Sequence, residues 1–225
     1  VNFFHSTTYS LWDADKIYGC ACDVGYTGYD CSVRTCVKGH DYFSNFATYV
    51  DEIQAFKCQQ STGTGSFKLK FRGKFTESIA TSTTAASLKT ILEKLQSIDE
   101  VTVTDGSGNT NGAICATGSN TFDFKVTFTR QHGDVPTLEI LHSTVSPTLA
   151  YVSGSSIAGT KTWEECNNRG ICEDSGECKC NTNFGSSNGK GTNVVGSAND
   201  CGYVSVALTT CPGTTSCSGH GTCSG

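Results

Sequence analysis

The chain has no methionine and only three prolines, and charged residues make up 16% of its 225 positions. Its 16 Lys and Arg form no run and the net charge is −5, so there is no basic stripe for nucleic acid or an anionic membrane. No apolar stretch approaches the roughly 20 residues that cross a bilayer, so no membrane insertion is expected. The start lacks both a methionine and a charged-then-apolar leader, as expected of a processed product or a piece of something longer. Nucleophile motifs are missing as well. The histidines (His5, His40, His132, His142 and His220) are scattered without i, i+4 pairing, and each reads as a surface or packing residue. The expectation is a non-enzyme with no catalytic residue, no metal and no cofactor. No Asn-x-Ser/Thr triplet occurs, so N-linked glycans are not expected.

What the chain has in abundance is cysteine, 14 in all. They gather at the two ends (Cys20, Cys22, Cys31 and Cys36; Cys166 to Cys223), with only Cys58 and Cys115 between. Cytosolic thiols are kept reduced and seldom accumulate in this way, so the chain reads as secreted and extracellular. Zinc is the competing use of paired cysteines, but zinc sites favour C-x2-C. Here the close pairs are C-x-C, at Cys20/Cys22 and Cys178/Cys180, a spacing better suited to separate disulfides.

The cysteine-poor region, 35–162, has the periodicity of an ordinary globular domain. In "SFKLKFRG", Phe67, Leu69 and Phe71 alternate with Lys68, Lys70 and Arg72, the pattern of a half-buried strand. "TFDFKVTFTR" places Phe122, Phe124, Val126 and Phe128 on one face, and "VDEIQAFKC", "EVTVT" and "PTLEILH" predict further strands. One helix is predicted over "TTAASLKTILEKLQSI", with Leu88, Ile91, Leu92, Leu95 and Ile98 on a single stripe and Ser/Thr residues to cap its start. "DGSGNTNG" reads as a long polar turn. The expected fold is α+β, a central antiparallel β domain with one amphipathic helix, flanked by small disulfide-rich modules.

"CNNRGICEDSGECKC" has the C-x5-C-x5-C-x-C rhythm of an epidermal-growth-factor-like module, which it resembles. That resemblance implies six cysteines paired first to third, second to fourth and fifth to sixth. Cys166, Cys172, Cys178, Cys180 and Cys201 match the second to sixth positions, implying Cys166–Cys178 and Cys180–Cys201 in a module over 163–205. The last loop, "NTNFGSSNGKGTNVVGSAND", is unusually long for such a module. Cys36, Cys58 and Cys115 are left to supply the first cysteine. Cys58 ends one predicted strand and Cys115 precedes another, so a Cys58–Cys115 staple and a Cys36–Cys172 bridge are expected. The central domain would then be inserted in the module's first loop, which requires its two ends to lie close together. A Cys36–Cys58 bond is the alternative, and it removes the insertion.

The two ends complement one another. In 206–225, "CPGTTSCSGHGTC" matches first to third cysteines (Cys211, Cys217, Cys223), and in 1–34, "CACDVGYTGYDC" matches fourth to sixth (Cys20, Cys22, Cys31). The same resemblance implies Cys22–Cys31, Cys211–Cys223, and Cys217 bonded to Cys20 of the next repeat. The chain then reads as one period of a repeat cut inside a module. An arbitrary excerpt from unrelated modules is the other reading.

"LWDADKIYGCACDVGYTGYDCSVRTC", the strand–helix–strand segment from "GSFKLKFRG" to "EVTVT", and "ECNNRGICEDSGECKC" together resemble the recurring units of large extracellular proteins of stramenopile algae and related protists. These are the EGF-repeat proteins of tubular flagellar hairs (mastigonemes) and the similar sexually induced proteins of diatoms. The resemblance implies a structural subunit or repeat of an extracellular filament, with copies of itself or related subunits as partners. An adhesion ectodomain binding a glycan or receptor is the alternative. Lys38, His40 and Asp41 in "TCVKGHDYFS" depart from the family's Pro- and Asp-rich pattern.

Three smaller features complete the reading. Calcium-binding modules carry acidic residues before the first cysteine, which "SVRT" and "ALTT" lack, and Asp13 and Asp15 read as a turn-forming pair. "CSGHGTC" fits the O-fucose acceptor pattern of these modules with Thr222 as acceptor, so O-glycans are expected. Trp12, Tyr26, Tyr29 and Trp163 lie in modules that bury little, where they pack over a disulfide or across repeats.

Overall fold

The computed structural model describes residues 19–41, 49–59, 65–115, 122–142, 148–205 and 219–220. The chain enters through a small hairpin of β1 (Tyr26–Thr27) and β2 (Val33–Arg34), followed by β3 (Lys38–Gly39). Then come β4 (Glu52–Gln59), β5 (Ser66–Phe71), β6 (Lys74–Phe75), β7 (Ile79–Ala80), helix α1 (Ala85–Glu93), β8 (Val101–Asp105), β9 (Phe124–Phe128), β10 (Glu139–His142) and β11 (Thr148–Tyr151). One sheet has the order β11-β4-β9-β8. The other has β10-β5-β6, with β7 also on β5, and the pairings within both are antiparallel.

Period-two alternation puts one face of each strand inside. Phe67, Leu69 and Phe71 of β5 are buried, as are Val101 and Val103 of β8 and Phe124, Val126 and Phe128 of β9, while Lys68 and Thr102 are exposed. Both sheets and α1 contribute to a single core. Phe56 stacks on its cross-strand partner Phe124 at 5.1 Å between ring centres, and Phe71 of one sheet stacks on Phe128 of the other at 5.5 Å. Phe122 sits just before β9, half-buried, with the Lys125 ammonium 4.2 Å from its ring centre.

Thr84 caps α1, its hydroxyl accepting from the Ser87 amide at 3.2 Å. The amides of Ala85 and Ala86 donate to the carbonyls of Gly112 and Thr110, so the polar turn 105–112 satisfies donors that a helix start leaves over. The helix stops at Glu93, short of the Ile98 that periodicity predicts. Leu95 and Ile98 continue in tighter turns, with amides bonded to the carbonyls of Leu92 and Leu95, and both remain buried. The hydrophobic stripe outlasts the helix.

Beyond the central sheets the chain forms β12 (Glu164–Glu165), β13 (Gly170–Cys172), β14 (Cys178–Cys180), β15 (Phe184–Gly185) and β16 (Tyr203–Val204). β12 pairs with β3, β13 with β14, and β15 with β16. Disulfides join Cys22–Cys31, Cys36–Cys172, Cys58–Cys115, Cys166–Cys178 and Cys180–Cys201. The core of this last region is largely sulfur, with Cys36, Cys166 and Cys201 buried against Cys172, Cys178, Cys180 and Phe184. So short a segment has too few apolar side chains for an ordinary core, and bridges take over that role. The protein is α+β and disulfide-rich, built, among the described residues, mostly of antiparallel sheet with one α-helix. Among the described residues, no helix is long and apolar enough to cross a membrane.

Candidate functional site

The most elaborated place in the molecule is the seam where the central sheets meet the C-terminal disulfide-rich region. β3 leads in and β12 leads out, paired through Lys38↔Glu165 and Gly39↔Glu164. Cys36 and Cys172 bond beside that pair, 136 residues apart in sequence and 5.6 Å apart between Cα atoms. Gly39 is required there, because a Cβ would stand 2.5 Å from the Asn167 amide oxygen. The sulfurs of Cys36, Cys166 and Cys178 lie within 4.8 Å of one another, but all three are spent in disulfides and offer no thiolate to a metal.

The long segment 186–199 folds as a strap. Its base is tied by Asp200, which accepts from the Ser187 amide at 2.8 Å, the Ser187 hydroxyl at 2.5 Å and the Gly202 amide at 3.1 Å. Burial pushes the Asp200 carboxyl up, but these bonds and Asn167 outweigh it and hold it below the ordinary Asp value. A bridge between Ser187 and Val195 closes the strap on itself. Its tip then grips the central domain: Lys190 Nζ meets Glu100 Oε1 at 2.8 Å, and the Lys190 carbonyl accepts from Lys161 Nζ at 2.8 Å. Gly189 and Gly191 have φ of +75° and +64°. A Cβ there would lie 2.6 Å from Arg130 Nε and 2.8 Å from His40 Cβ. Positive φ favours glycine at both positions, and at Gly191 the buried His40 leaves no room for a side chain as well.

Under the strap lies a buried polar cluster. His40 is 2% exposed, its Nδ1 lying 2.9 Å from the Thr162 hydroxyl and 3.1 Å from the Thr162 amide. Tyr49 meets its ring edge-on at 4.2 Å. His132 has a fully buried side chain, with Trp163 edge-on at 5.5 Å and His40 at 6.1 Å. Lys161 pairs with Asp51 at 2.7 Å, and Arg169 holds the buried Asp41 through Nε at 3.1 Å and Nη2 at 2.9 Å. Burial lowers His40, with Lys161 acting in the same sense. It pushes His132 down to about 3, with help from Lys161 and His40. Glu52, next to Asp51, is raised by burial, against the Gly159 amide and the Gln54 side chain that hydrogen-bond it.

Of the residues singled out in the sequence, Cys22, Cys31, Cys36, Cys58, Cys115, Cys166, Cys172, Cys178, Cys180 and Cys201 are bonded as above. Cys20 is exposed with a free thiol. Tyr29 is 89% exposed and Tyr26 is also exposed, whereas Trp163 packs into the seam. His5, Trp12, Asp13, Asp15, Cys211, Cys217, Thr222 and Cys223 lie outside the described residues. The meeting of His40 with His132 went unseen, since no local period links positions so far apart. The one available signal was the unusual His40–Asp41 pair in the entry linker.

The seam can bind elements of the chain to each other but has little room for anything else. A depression lined by His40, Asp41, Asn167, Arg169 and Phe184 holds about 160 Å³, well short of the roughly 300 Å³ at which ligand pockets begin. No family model and no curated protein matches the chain.

Proposed function

We propose that the chain is a structural repeat or subunit of an extracellular filament of the flagellar-hair type, in which EGF-like modules alternate with inserted α+β domains. The observation that carries this reading is the seam. Cys36–Cys172, the β3–β12 pair and the strap weld the central domain to the disulfide-rich region at several points. That construction supports a stiff building block more than a receptor with a cleft. The free, exposed Cys20 is the joining point, bonding Cys217 of the next repeat to complete an EGF-like module from two halves. Disulfides limit the length to which the chain can be drawn out. The central sheets supply lateral surface for neighbouring copies, and Thr222 carries an O-glycan.

Electron microscopy of the native material, with disulfide mapping by mass spectrometry, tests this. Fibres with a regular repeat and a Cys20–Cys217 peptide are the expected result. Monomers alone at high concentration, with selective glycan or cell-surface binding, sink the filament reading in favour of an adhesion ectodomain.

A further inference from the structure

His40 and His132 are held where a second proton is disfavoured. The Thr162 amide can only donate, so His40 Nδ1 accepts from it at 3.1 Å. The Thr162 hydroxyl oxygen, which also accepts from the Asp41 amide at 3.0 Å, lies 2.9 Å from the same Nδ1. A proton on Nδ1 would therefore set donor against donor at the Thr162 amide and break that bond. His40 Nε2 and both His132 ring nitrogens are buried with no partner at hydrogen-bonding geometry among the described residues.

The charges facing the pair are already engaged. Lys161, from the exit linker, adds positive potential to both rings. Asp51, at the start of β4, lies 3.9 Å from His132 Nδ1 but is paired with Lys161. Asp41, beyond β3, is held by Arg169, and Asp200, at the strap's base, by Ser187 and Gly202. The Gly189 backbone and Asp200 favour an imidazolium at His132, and Asp41 and Asp51 favour one at His40, but burial and Lys161 outweigh them at both rings. The strap closes directly over the pair, since Gly191 packs on His40.

We propose that the seam is an acid-released latch: uncharged His40 and His132 let the 186–199 strap close on the central domain, and acidification frees the strap while both cores stay folded. The sign follows from the side on which the proton binds. Both rings are lowered in the closed state from the ordinary value of 6.5, so the closing force is complete above that pH. It is lost progressively as the pH falls toward the value of about 3 at which closed His132 itself protonates. The opening constant rises by up to about tenfold per pH unit for each histidine. The latch operates within one chain and is independent of the filament reading.

Hydrogen–deuterium exchange on the full chain, corrected for intrinsic rate, reads it. Between about pH 6 and pH 5 the strap amides of Asn188 and Gly196 are expected to exchange at least about tenfold faster, while β9 amides stay unchanged. A His40→Asn/His132→Gln double variant is expected to flatten that dependence to about twofold or less. Glu52 is a nearby carboxyl whose titration burial shifts upward, toward the window, so Glu52→Gln serves as the control that keeps the full dependence. Should the double variant not fold, NMR titration of the two rings in the native chain decides, with both expected below 6.5. Strap exchange that is flat with pH, a dependence that vanishes in Glu52→Gln, or rings titrating at or above 6.5 overturns the latch.

Discussion

Cys36 and Cys172 are covalently joined beside a pair of strands that carry the chain into and out of the central sheets. The whole central domain is thus a closed excursion from one point of the disulfide-rich region. The bond constrains a loop of 136 residues, shortened in practice by the internal Cys58–Cys115 link.

Replacing Cys36 and Cys172 together by Ala is expected to loosen the attachment and leave the central fold in place. Loss of such a bridge costs roughly 2–5 kcal/mol, borne by the 163–205 region. Limited proteolysis should cut first near the entry and exit linkers, while the calorimetric transition of the central domain keeps its enthalpy.

The two strap glycines should differ. Gly189→Ala meets the mobile end of Arg130, which can swing away, whereas Gly191→Ala meets the base and ring of a buried His40. Positive φ penalises both by about 1 kcal/mol, so the excess in Gly191→Ala measures the tighter contact. Strap amide exchange at neutral pH should be faster in Gly191→Ala than in Gly189→Ala.

Arg169→Ala leaves the buried Asp41 carboxylate without its guanidinium and should cost roughly 3–5 kcal/mol. Arg169→Lys keeps the charge but loses the fork, and an intermediate loss is expected from the weaker, single-point contact. Denaturant melts of the two variants, compared at equal m-value, check the order.

Cys20 should react stoichiometrically with a maleimide in the isolated chain, being exposed and unbonded. In native assembled material the same thiol is expected to be blocked until a reductant is added. Mass spectrometry of the labelled peptide distinguishes the two.

The central fold was legible in the sequence wherever burial follows a local period. Phe67, Leu69 and Phe71 alternate with charged neighbours, and the burial of β5 repeats that alternation. Leu88, Leu92, Leu95 and Ile98 announced a helix side, but not that the last two are reached by tight turns. β11 and the β3–β12 pair escaped notice because each is short and takes its partner from far along the chain. The strap read as an overlong loop for the same reason. Its Gly189 and Gly191 signify only against Arg130 and His40, which belong to other parts of the sequence.

The closed excursion also bears on tension. A pull applied between the β1–β2 hairpin and the β13–β14 hairpin passes through the Cys36–Cys172 bond and never enters the sheets between. The central domain hangs as a pendant beside the line of force. In the filament proposed above, such a domain can be enlarged, trimmed or given a new surface with no change in the axial rise per unit.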